Sequence, residues 1–382
     1  MALELLETLD VYYGKSKRNV SLYSGDLSAL EMKEAVDYMA VSTLPNFYLA
    51  DYGTLLYSLN EKGVSVEKLS KDKAADYRSD IPCWITKDVS GIQCKRLIIF
   101  EPENPRNNAY DLITYIFSAI AKQEEGRTAD LKIALPILCT GKSGADPIEI
   151  IESMFYSSVH WGAMKFPFSE IKIVVYNNSS RKDEIRKKFT DLKYSYEHLE
   201  NLFSTKAYTF YAKQALAGLN DVKLPEYLTQ RQYFAIHLYT GSYYHTINTV
   251  LRKNDRKSDI FKKHLPLFEA LDTGLNNIPA YKGITYRGTE MPQSDLDKHK
   301  VGATYLNLAY TSTAYTKISF YNWHTVKLDI DCHTGCCIQE YSVFPSENEV
   351  LYIRGMSYKI LSADKSKGYY FKTDECVEKF RR

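Results

Sequence analysis

Hydrophobic and polar positions follow two different patterns along the chain, and the change lies near residue 200. In the first half, short apolar runs alternate with stretches in which apolar residues recur every three or four positions. The short runs predict strands and the recurring positions predict helices, which together favour an α/β domain on a largely parallel sheet. The predicted strands are 20–23, 38–42, 97–100, 132–138 and 170–176, and the predicted helices are 110–123, 147–161 and 181–189.

The second half begins with helices and continues with strands. Between residues 200 and 280 the apolar spacing is helical, and Thr229 is placed to cap one of these helices. Beyond residue 280, short runs separated by turns predict an antiparallel-rich sheet, so this half is expected to be an α+β domain. The predicted helices include 208–219, 229–239 and 243–251, and the predicted strands are 284–287, 305–313, 325–330, 336–342, 347–353 and 358–361. We therefore predict two domains, 1–200 and 201–382.

The composition is typical of a globular protein and limits the partners. Of the 382 residues, 45% are hydrophobic and 25% are charged, and 49 basic side chains against 47 acidic ones give a net charge of +2. Because nucleic-acid affinity depends largely on neutralising phosphates, general DNA or RNA binding is not favoured, although a single-stranded substrate held at one pocket is not excluded. Each of the 32 tyrosines combines an apolar ring with a polar hydroxyl, so it can pack in a core or line a cleft while its hydroxyl hydrogen-bonds water or a polar group.

Export signals and membrane spans are not expected. The N-terminal segment MALELLETLDVYY carries acidic residues before any basic one and lacks the apolar core of a secretory signal. The longest apolar runs, near 97–100 and 133–139, are far shorter than the roughly 18–20 residues that span a bilayer. The seven cysteines are scattered and odd in number, which is typical of a reducing compartment.

Four thiol and imidazole side chains lie close together in the sequence, at Cys332, His333, Cys336 and Cys337. One interpretation is a zinc site. Zinc spacing normally includes a second Cys-x-x-Cys or His-x-x-x-His pair, and none is evident here. Buried strand thiols are therefore the favoured alternative.

Two carboxylates two positions apart, Glu347 and Glu349, lie in a predicted strand, where alternate side chains point to the same face. Like charges this close raise each other's pKa, so the pair is either a solvated strand edge or a functional site. Upstream, Arg287 ends a predicted strand and precedes Gly288, and residues 311–314 read Thr-Ser-Thr-Ala.

These segments together resemble the R-S-E class of mono-ADP-ribosyltransferases, which carry a strand arginine, a Ser-Thr-Ser segment and a Glu-x-Glu pair. Residues 344–351 resemble the turn that presents the catalytic glutamates of that family. Residues 235–240 and 243–252 resemble its helical region beside the NAD⁺ site. The resemblance covers about 205–365, with four segments in the family's order.

The resemblance implies a role for each charged residue. Glu349 would stabilise the oxocarbenium-like cation that forms when the nicotinamide–ribose bond of NAD⁺ breaks, and would bind a ribose hydroxyl. Glu347 would orient or deprotonate the acceptor, and a glutamate at this position goes with arginine acceptors in the family. Arg287 would bind the diphosphate through its rigid fork of donors.

Smaller residues complete the implied NAD⁺ site. Gly288 would let the nicotinamide amide approach the backbone, and Ser312, followed by Thr313, would hold the NAD⁺-binding strand and Glu349 in register. The third position of the Ser-Thr-Ser segment is Ala314, a departure from the family. In the alternative register, Thr311 takes the first place.

Aromatic and amide side chains extend the implied sites. The candidates for packing on adenine or nicotinamide are Tyr239, Tyr243 and Phe320, with plain core packing as the alternative. Asn248 is a candidate for hydrogen bonding to ribose or adenine. The candidates for acceptor recognition lie just before the glutamates, at Tyr341 and Phe344, of which Phe344 precedes a proline in a constrained turn.

The N-terminal half resembles a macrodomain, an ADP-ribose-binding fold, over about 17–190. In that family an aspartate after glycine contacts adenine, here Asp26, and a Thr-Gly-x-x-Gly loop before a helix cradles phosphate, here Thr140, Gly141 and Gly144. The family's asparagines are missing from 36–43 and its glycine run from 49–57. Hydrolytic removal of ADP-ribose is therefore not expected, and ADP-ribose binding stands beside a structural or acceptor-docking role.

The leading hypothesis is an NAD⁺-dependent mono-ADP-ribosyltransferase, a bacterial toxin or effector that modifies arginine on a protein. It would act in the bacterial cytosol or reach a target cell without a classical signal. Transfer to RNA or to water at the same site is the second hypothesis. The third is a non-catalytic reader that binds ADP-ribose through its N-terminal domain. No metal and no membrane partner are expected.

Overall fold

The computed structural model describes residues 2–13, 15–103, 109–126, 130–140, 144–164, 168–199, 213, 215, 217, 223–317, 321, 323–364, 366 and 369–376. The chain separates into two compact units, Met1–Glu197 and His198–Arg382. No helix in the described segments is long and apolar enough to cross a bilayer.

The described strands of the N-terminal unit form one mixed sheet in the order β1-β2-β8-β7-β3-β6-β5-β4. From β2 to β6 in that order the neighbouring strands are parallel, whereas β1 on one side and β5 and β4 on the other pair antiparallel. The largely parallel sheet predicted for this half is therefore confirmed. The strands are β1 Glu4–Tyr13, β2 Ser16–Gly25, β3 Val36–Ser42, β4 Lys73–Asp76, β5 Cys83–Thr86, β6 Cys94–Phe100, β7 Leu131–Pro136 and β8 Phe168–Tyr176.

Helices cover both faces of this sheet. Residues 38–41 of β3 are all at most 1% exposed, and successive strand residues point to opposite faces, so neither face of β3 is open to water. Because side chains on both faces of these parallel strands are buried, the strand sequences contain continuous apolar runs. The helices are α1 Leu55–Glu61, α2 Val66–Leu69, α3 Ala109–Gln123, α4 Pro147–Ala163 and α5 Lys182–Glu197.

The described helices of the C-terminal unit largely precede its sheet. Thr229 caps α6, as predicted: its hydroxyl accepts from the backbone N–H of Gln232, and the Gln232 amide oxygen accepts from the N–H of Thr229. A π-turn at Tyr239–Tyr243 joins α6 to α7. The helices are α6 Gln230–Leu238, α7 Tyr244–Lys253, α8 Asp259–Asn277 and α9 Gln293–Leu296.

The described strands of this unit form a second mixed sheet in the order β10-β15-β16-β12-β9-β11-β14-β13. Neighbouring strands pair antiparallel except β12 and β16, so the antiparallel-rich sheet is confirmed. The strands are β9 Gly283–Thr289, β10 Thr304–Leu306, β11 Thr311–Ala314, β12 Val326–Cys332, β13 Cys336–Cys337, β14 Glu349–Tyr352, β15 Ser357–Asp364 and β16 Tyr369–Cys376.

Several predicted elements are wrong in extent. The strand predicted at 305–313 is split into β10 and β11, because Asn307 turns the chain by accepting from the N–H of Ala309 and donating to the Thr311 hydroxyl. The strand predicted at 336–342 ends with β13, since a 3₁₀ turn follows at Gln339–Tyr341. Strands β1, β4, β5 and β16 were not predicted, and most of the helix predicted at 208–219 lies outside the described residues.

A buried carboxylate on α8 joins two strands of the second sheet. Asp272 accepts a hydrogen bond of 2.6 Å from the hydroxyl of Tyr310, directly before β11, and one of 2.8 Å from Nε of Arg354, just after β14. The Asp272 side chain is 6% exposed and that of Arg354 is 17% exposed. Because the bonds to one carboxylate fix two chain segments at once, Asp272 sets the position of β11 and β14 relative to the helix.

We expect Asp272→Asn to lower the free energy of unfolding by roughly 3 kcal/mol, because it removes the negative charge that faces the largely buried Arg354. The control is Lys298→Gln, which removes the ion pair of an exposed lysine with Asp295 and should leave the free energy of unfolding close to the wild-type value. Calorimetric unfolding of both variants measures the difference. Equal destabilisation by the two substitutions would contradict a structural role for the Asp272 junction.

Candidate active site

Strand pairing brings Ser312 beside Glu349. Strands β11 and β14 are antiparallel, with Ala314 opposite Glu349 and Ser312 opposite Leu351. Ser312 and Ala314 are two positions apart and share one face, so Ser312 is the diagonal neighbour of Glu349 on that face. The Ser312 side chain interacts with the Glu349 carboxyl across these strands and lowers its pKa.

Arg287 reaches the same strand from the other side. Strand β9 pairs with β11 through Tyr286 and Ala314, which places the next residue, Arg287, near the middle of β11. The Arg287 guanidinium donates to the backbone carbonyl of Ser312. Ser312 therefore interacts with both charged residues, with Glu349 through its side chain and with Arg287 through its carbonyl oxygen.

Burial governs the protonation of Glu349. The residue is 4% exposed, and this loss of hydration raises the pKa of its carboxyl to about 7. The Ser312 hydrogen bond and the positive charge of Arg287 lower that pKa, whereas the negative charge of Glu347 raises it. Glu349 is therefore a carboxyl that gains and loses its proton near neutral pH.

The two glutamates do not lie on one strand, so the prediction that they share a strand face is wrong. Glu347 ends a 3₁₀ turn, Pro345–Glu347, and Asn348 adopts a left-handed conformation with φ of 52°. That turn breaks the extended backbone, and β14 begins only at Glu349. Glu347 is consequently exposed while Glu349 is buried, although both remain close enough to interact electrostatically.

The hydroxyls on either side of Ser312 are used elsewhere. Thr311 accepts a hydrogen bond of 2.6 Å from the Asn307 amide, and Thr313 donates one of 2.7 Å to the carbonyl of Val350. Strand alternation places both on the face away from Glu349. Of the two registers considered for this segment, the structure has Ser312 beside the glutamate.

Tyr239 and Asn248 form a buried pair beside the charged residues. Asn248 donates through its amide nitrogen to the Tyr239 hydroxyl at 3.1 Å, and the Tyr239 ring packs edge-on against Tyr310. The amide oxygen of Asn248 is buried with no partner among the described residues. Burial raises the pKa of Tyr239, whose hydroxyl interacts electrostatically with Glu349 and Arg287.

Tyr243 differs from this pair, since its hydroxyl bonds His264 at 2.7 Å within the core.

Arg252 is a residue that the sequence analysis missed. This exposed arginine interacts electrostatically with both Arg287 and Tyr239. Two guanidinium groups therefore lie near each other beside Tyr239. Arg252 lies four positions after Asn248 on α7, and residues at that spacing share one helix face. The spacing was therefore a readable signal.

The remaining candidates fall in different places. Phe344 is 50% exposed, whereas Tyr341 is 6% exposed and shares a hydrogen bond of 3.1 Å with the hydroxyl of Tyr227. Of the two, Phe344 is the one whose ring is exposed. Gly288 follows Arg287 on β9 opposite Lys327, and Phe320 lies outside the described residues.

The candidates of the N-terminal unit follow the carboxyl ends of two parallel strands. Asp26 lies after β2 and accepts from the backbone N–H and the hydroxyl of Ser28, each at 2.8 Å. Thr140 lies after β7 and donates to the carbonyl of Ile137 at 3.1 Å. Gly144 has a positive φ of 59°, and Gly141 lies outside the described residues.

The thiols near His333 are strand residues. The seven cysteines all lie in the described segments and form no disulfide there, and Cys332 and Cys336 are buried. Within the described segments, His333 approaches the carboxylates of Asp331 and Asp374, with its Nε2 2.8 Å from Asp374 Oδ1. These contacts favour buried strand thiols over a cysteine-based zinc site.

One family model matches the C-terminal unit. Residues 200–376 match the family model described as ADP-ribosyltransferase exoenzyme. This match covers nearly all of the C-terminal unit and just under half of the chain.

Two curated relatives each match part of the chain. The NAD(+)--protein-arginine ADP-ribosyltransferase Tre1 of Serratia proteamaculans is 30% identical over 41% of this chain and 34% of that protein. A putative NAD(+)--arginine ADP-ribosyltransferase, Mav, of Mycobacterium avium is 28% identical over 34% of this chain and 15% of that protein. The chain thus spans about a third or less of these curated relatives.

Solved structures give partial matches. The type III effector XopAI of Xanthomonas axonopodis pv. citri, at 14% identity, aligns with 48% of this chain and 88% of its own, with a TM-score of 0.41.

The pH dependence of NAD⁺ consumption should follow the ionisation of Glu349. If the carboxylate form stabilises the developing cation, kcat/KM for NAD⁺ should rise about tenfold per pH unit at low pH and level off above about 7. Because Ser312 lowers the pKa of Glu349, Ser312→Ala should move this rising limb of the pH–rate profile, and its midpoint, to higher pH.

The matched control is Thr313→Val, which removes a hydroxyl one position away that bonds the Val350 carbonyl. This variant should keep the wild-type midpoint of the pH–rate profile. An unchanged midpoint in Ser312→Ala, or an equal shift in both variants, would contradict the assignment of the limb to Glu349.

Proposed function

We propose that this chain, whose residues 200–376 form an ADP-ribosyltransferase exoenzyme domain, transfers ADP-ribose from NAD⁺ to an arginine side chain of a protein. The observation that carries the proposal is the placement of the two glutamates. Glu349 is buried beside Ser312 and Arg287, while Glu347 is exposed one turn away. The curated relatives, one named an arginine ADP-ribosyltransferase and the other a putative one, support the arginine acceptor.

Glu349 is proposed to stabilise the charge that develops on the donor. The bond between the nicotinamide nitrogen and the anomeric carbon breaks, and nicotinamide leaves with the bonding electron pair. The ribose then carries positive charge shared between its ring oxygen and the anomeric carbon. A carboxylate held in a buried position interacts strongly with such a cation and needs little reorganisation when the charge appears.

Glu347 is proposed to act on the acceptor. A guanidinium ion has no lone pair to offer, so its nitrogen must give up a proton as it bonds to the anomeric carbon. Glu347 is exposed, which lets a macromolecular acceptor reach it. Partial loss of hydration beside the neighbouring protein raises the pKa of its carboxyl and makes it a stronger base. The exposed ring of Phe344 lies three residues away on the same turn.

The donor is proposed to bind along the guanidinium groups. Arg287 and Arg252 together supply two positive charges for a diphosphate, and arginine suits phosphate oxygens because its donors form a rigid fork. The amide oxygen of Asn248, which has no partner in the described part of the chain, can accept one further hydrogen bond, as a ribose hydroxyl or an adenine amino group would provide. The Tyr239 hydroxyl accepts from the amide nitrogen of the same asparagine.

Two isosteric variants separate the proposed roles. Glu349→Gln should reduce both NAD⁺ hydrolysis and ADP-ribose transfer by about 100-fold or more, since it removes the charge that stabilises the cation. Glu347→Gln should reduce transfer to arginine strongly and leave hydrolysis largely intact, because water needs no orienting base of this kind. Labelled NAD⁺ with a bacterial lysate, followed by mass spectrometry of the modified peptides, measures transfer, and released nicotinamide measures total turnover.

The contrary results are specific. Transfer that survives Glu349→Gln would exclude this residue from the chemistry. Label that is removed by nuclease and not by protease would replace the protein acceptor with RNA.

A second activity is proposed for the N-terminal unit: binding of ADP-ribose. The loops that carry Asp26 and Thr140 both follow parallel strands at their carboxyl ends, where open α/β sheets bind ligands. Calorimetry of residues 1–197 with ADP-ribose should give a saturable signal, and no heat of binding at about 1 mM ligand would reject the proposal.

A further inference from the structure

We propose that Tyr315 is a positioning residue that fixes Glu347 through Asn348, and that it thereby decides how much of the ADP-ribose goes to arginine and how much to water. The inference rests on the proposed transferase function. It assigns to Tyr315 the balance between two outcomes of one reaction. Both begin with loss of nicotinamide, and they differ in whether a guanidinium nitrogen or a water oxygen bonds the anomeric carbon and releases its proton.

Asn348 is held from β11 and the residues after it by three hydrogen bonds. Its backbone carbonyl accepts from the N–H of Tyr315 at 3.1 Å. Its amide oxygen lies 3.0 Å from the Tyr315 hydroxyl, and its amide nitrogen donates to the Thr316 hydroxyl at 2.9 Å. Asparagine also tolerates the left-handed backbone at this position better than most residues. Asn348 is therefore fixed in both its backbone and its side chain.

The Tyr315 side chain is itself held in place. Its ring stacks on Tyr281 with a centroid separation of 6.0 Å and an angle of 27° between the planes. Its hydroxyl also lies 2.7 Å from the side-chain amide of Gln339. A phenol has one proton to donate, so it bonds both amides when the Gln339 amide presents its nitrogen and Asn348 presents its oxygen.

Glu347 depends on this contact more than Glu349 does. Glu349 is held by strand pairing with Ala314, by the N–H of Ile338, which donates to its carbonyl at 3.0 Å, and by Ser312. Glu347 instead lies in the exposed 3₁₀ turn, and Asn348 is the link between that turn and β14.

The opposite end of the segment is also tied down. The N–H of Val343 donates to the Thr240 hydroxyl at 2.9 Å, and the carbonyl of Tyr341 bonds His237 at 3.0 Å. The segment from 341 to 348 is thus anchored at both ends, with Glu347 and Phe344 between the anchors. Loss of the Tyr315 hydroxyl removes one of the three hydrogen bonds that hold Asn348, the anchor on the side of Glu347.

Tyr315→Phe tests the inference in the full chain, with NAD⁺ as donor and agmatine, a small guanidinium compound, as acceptor. Loss of one hydrogen bond that positions Glu347 should lower kcat/KM for agmatine by about fivefold to tenfold. NAD⁺ hydrolysis without acceptor should change by less than about twofold, because the contacts of Glu349 remain. The measured quantity is the ratio of transfer to hydrolysis, which a general loss of folded protein does not alter.

Tyr321→Phe is the matched control. It removes a tyrosine hydroxyl from the same unit that donates to Asp329 at 2.6 Å, and the transfer-to-hydrolysis ratio should stay at the wild-type value. Asn348→Gly is the second variant, since glycine keeps the left-handed backbone and removes only the amide contacts. It should lower the ratio as Tyr315→Phe does.

Two results overturn the inference and are distinguishable from each other. If the wild-type chain modifies agmatine and Tyr315→Phe and Asn348→Gly keep the wild-type ratio, Tyr315 does not position Glu347. If the wild-type chain consumes no NAD⁺ or transfers nothing to a guanidinium acceptor, the proposed function fails and takes this inference with it.

Discussion

The pairing of β11 with β14 is the constraint on which the candidate site of the C-terminal unit depends. It brings the Ser312 side chain to the buried carboxyl of Glu349, and the same serine carries the carbonyl that binds Arg287. Asp272 holds both strands against α8 by bonding a residue beside each of them. A shift of one residue between β11 and β14 would turn Ser312 away from Glu349 and separate the two charged groups.

Burial of Glu349 has an energetic consequence. A carboxyl whose pKa is raised to about 7 binds its proton more tightly in the folded protein than in the unfolded chain. Above that pH the ionised site lowers the stability of the fold by an amount on the order of 3 kcal/mol, and the cost disappears as the pH falls to the ordinary carboxyl range. A positive charge in the site offsets this cost, and a ribose cation is such a charge. The same burial that weakens the empty protein therefore strengthens its interaction with the proposed transition state.

The strands of this site could be predicted from the sequence, whereas its turn and its long-range contacts could not, for physical reasons. Residue types and their order predicted the strands that carry Arg287 and Ser312. Glu347 lies outside the strand because a turn begins at Pro345 and Asn348 adopts a left-handed backbone. Pro345 and Asn348 are residues typical of turns, but the prediction followed the alternation of side chains instead. Arg252 was predictable from its helix spacing to Asn248. The contact between Tyr315 and Asn348 was not, because it joins residues 33 positions apart and depends on a register that no single segment specifies.

A crystal structure of the full chain bound to a hydrolysis-resistant NAD⁺ analogue tests the central claim most directly, because the claim concerns where the reacting atoms lie. The account predicts the anomeric carbon of the nicotinamide ribose within about 4 Å of the Glu349 carboxylate, with the diphosphate on Arg287 and Glu347 facing the open side. An analogue bound with its nicotinamide ribose away from Glu349, or with its diphosphate contacting neither Arg287 nor Arg252, would contradict it.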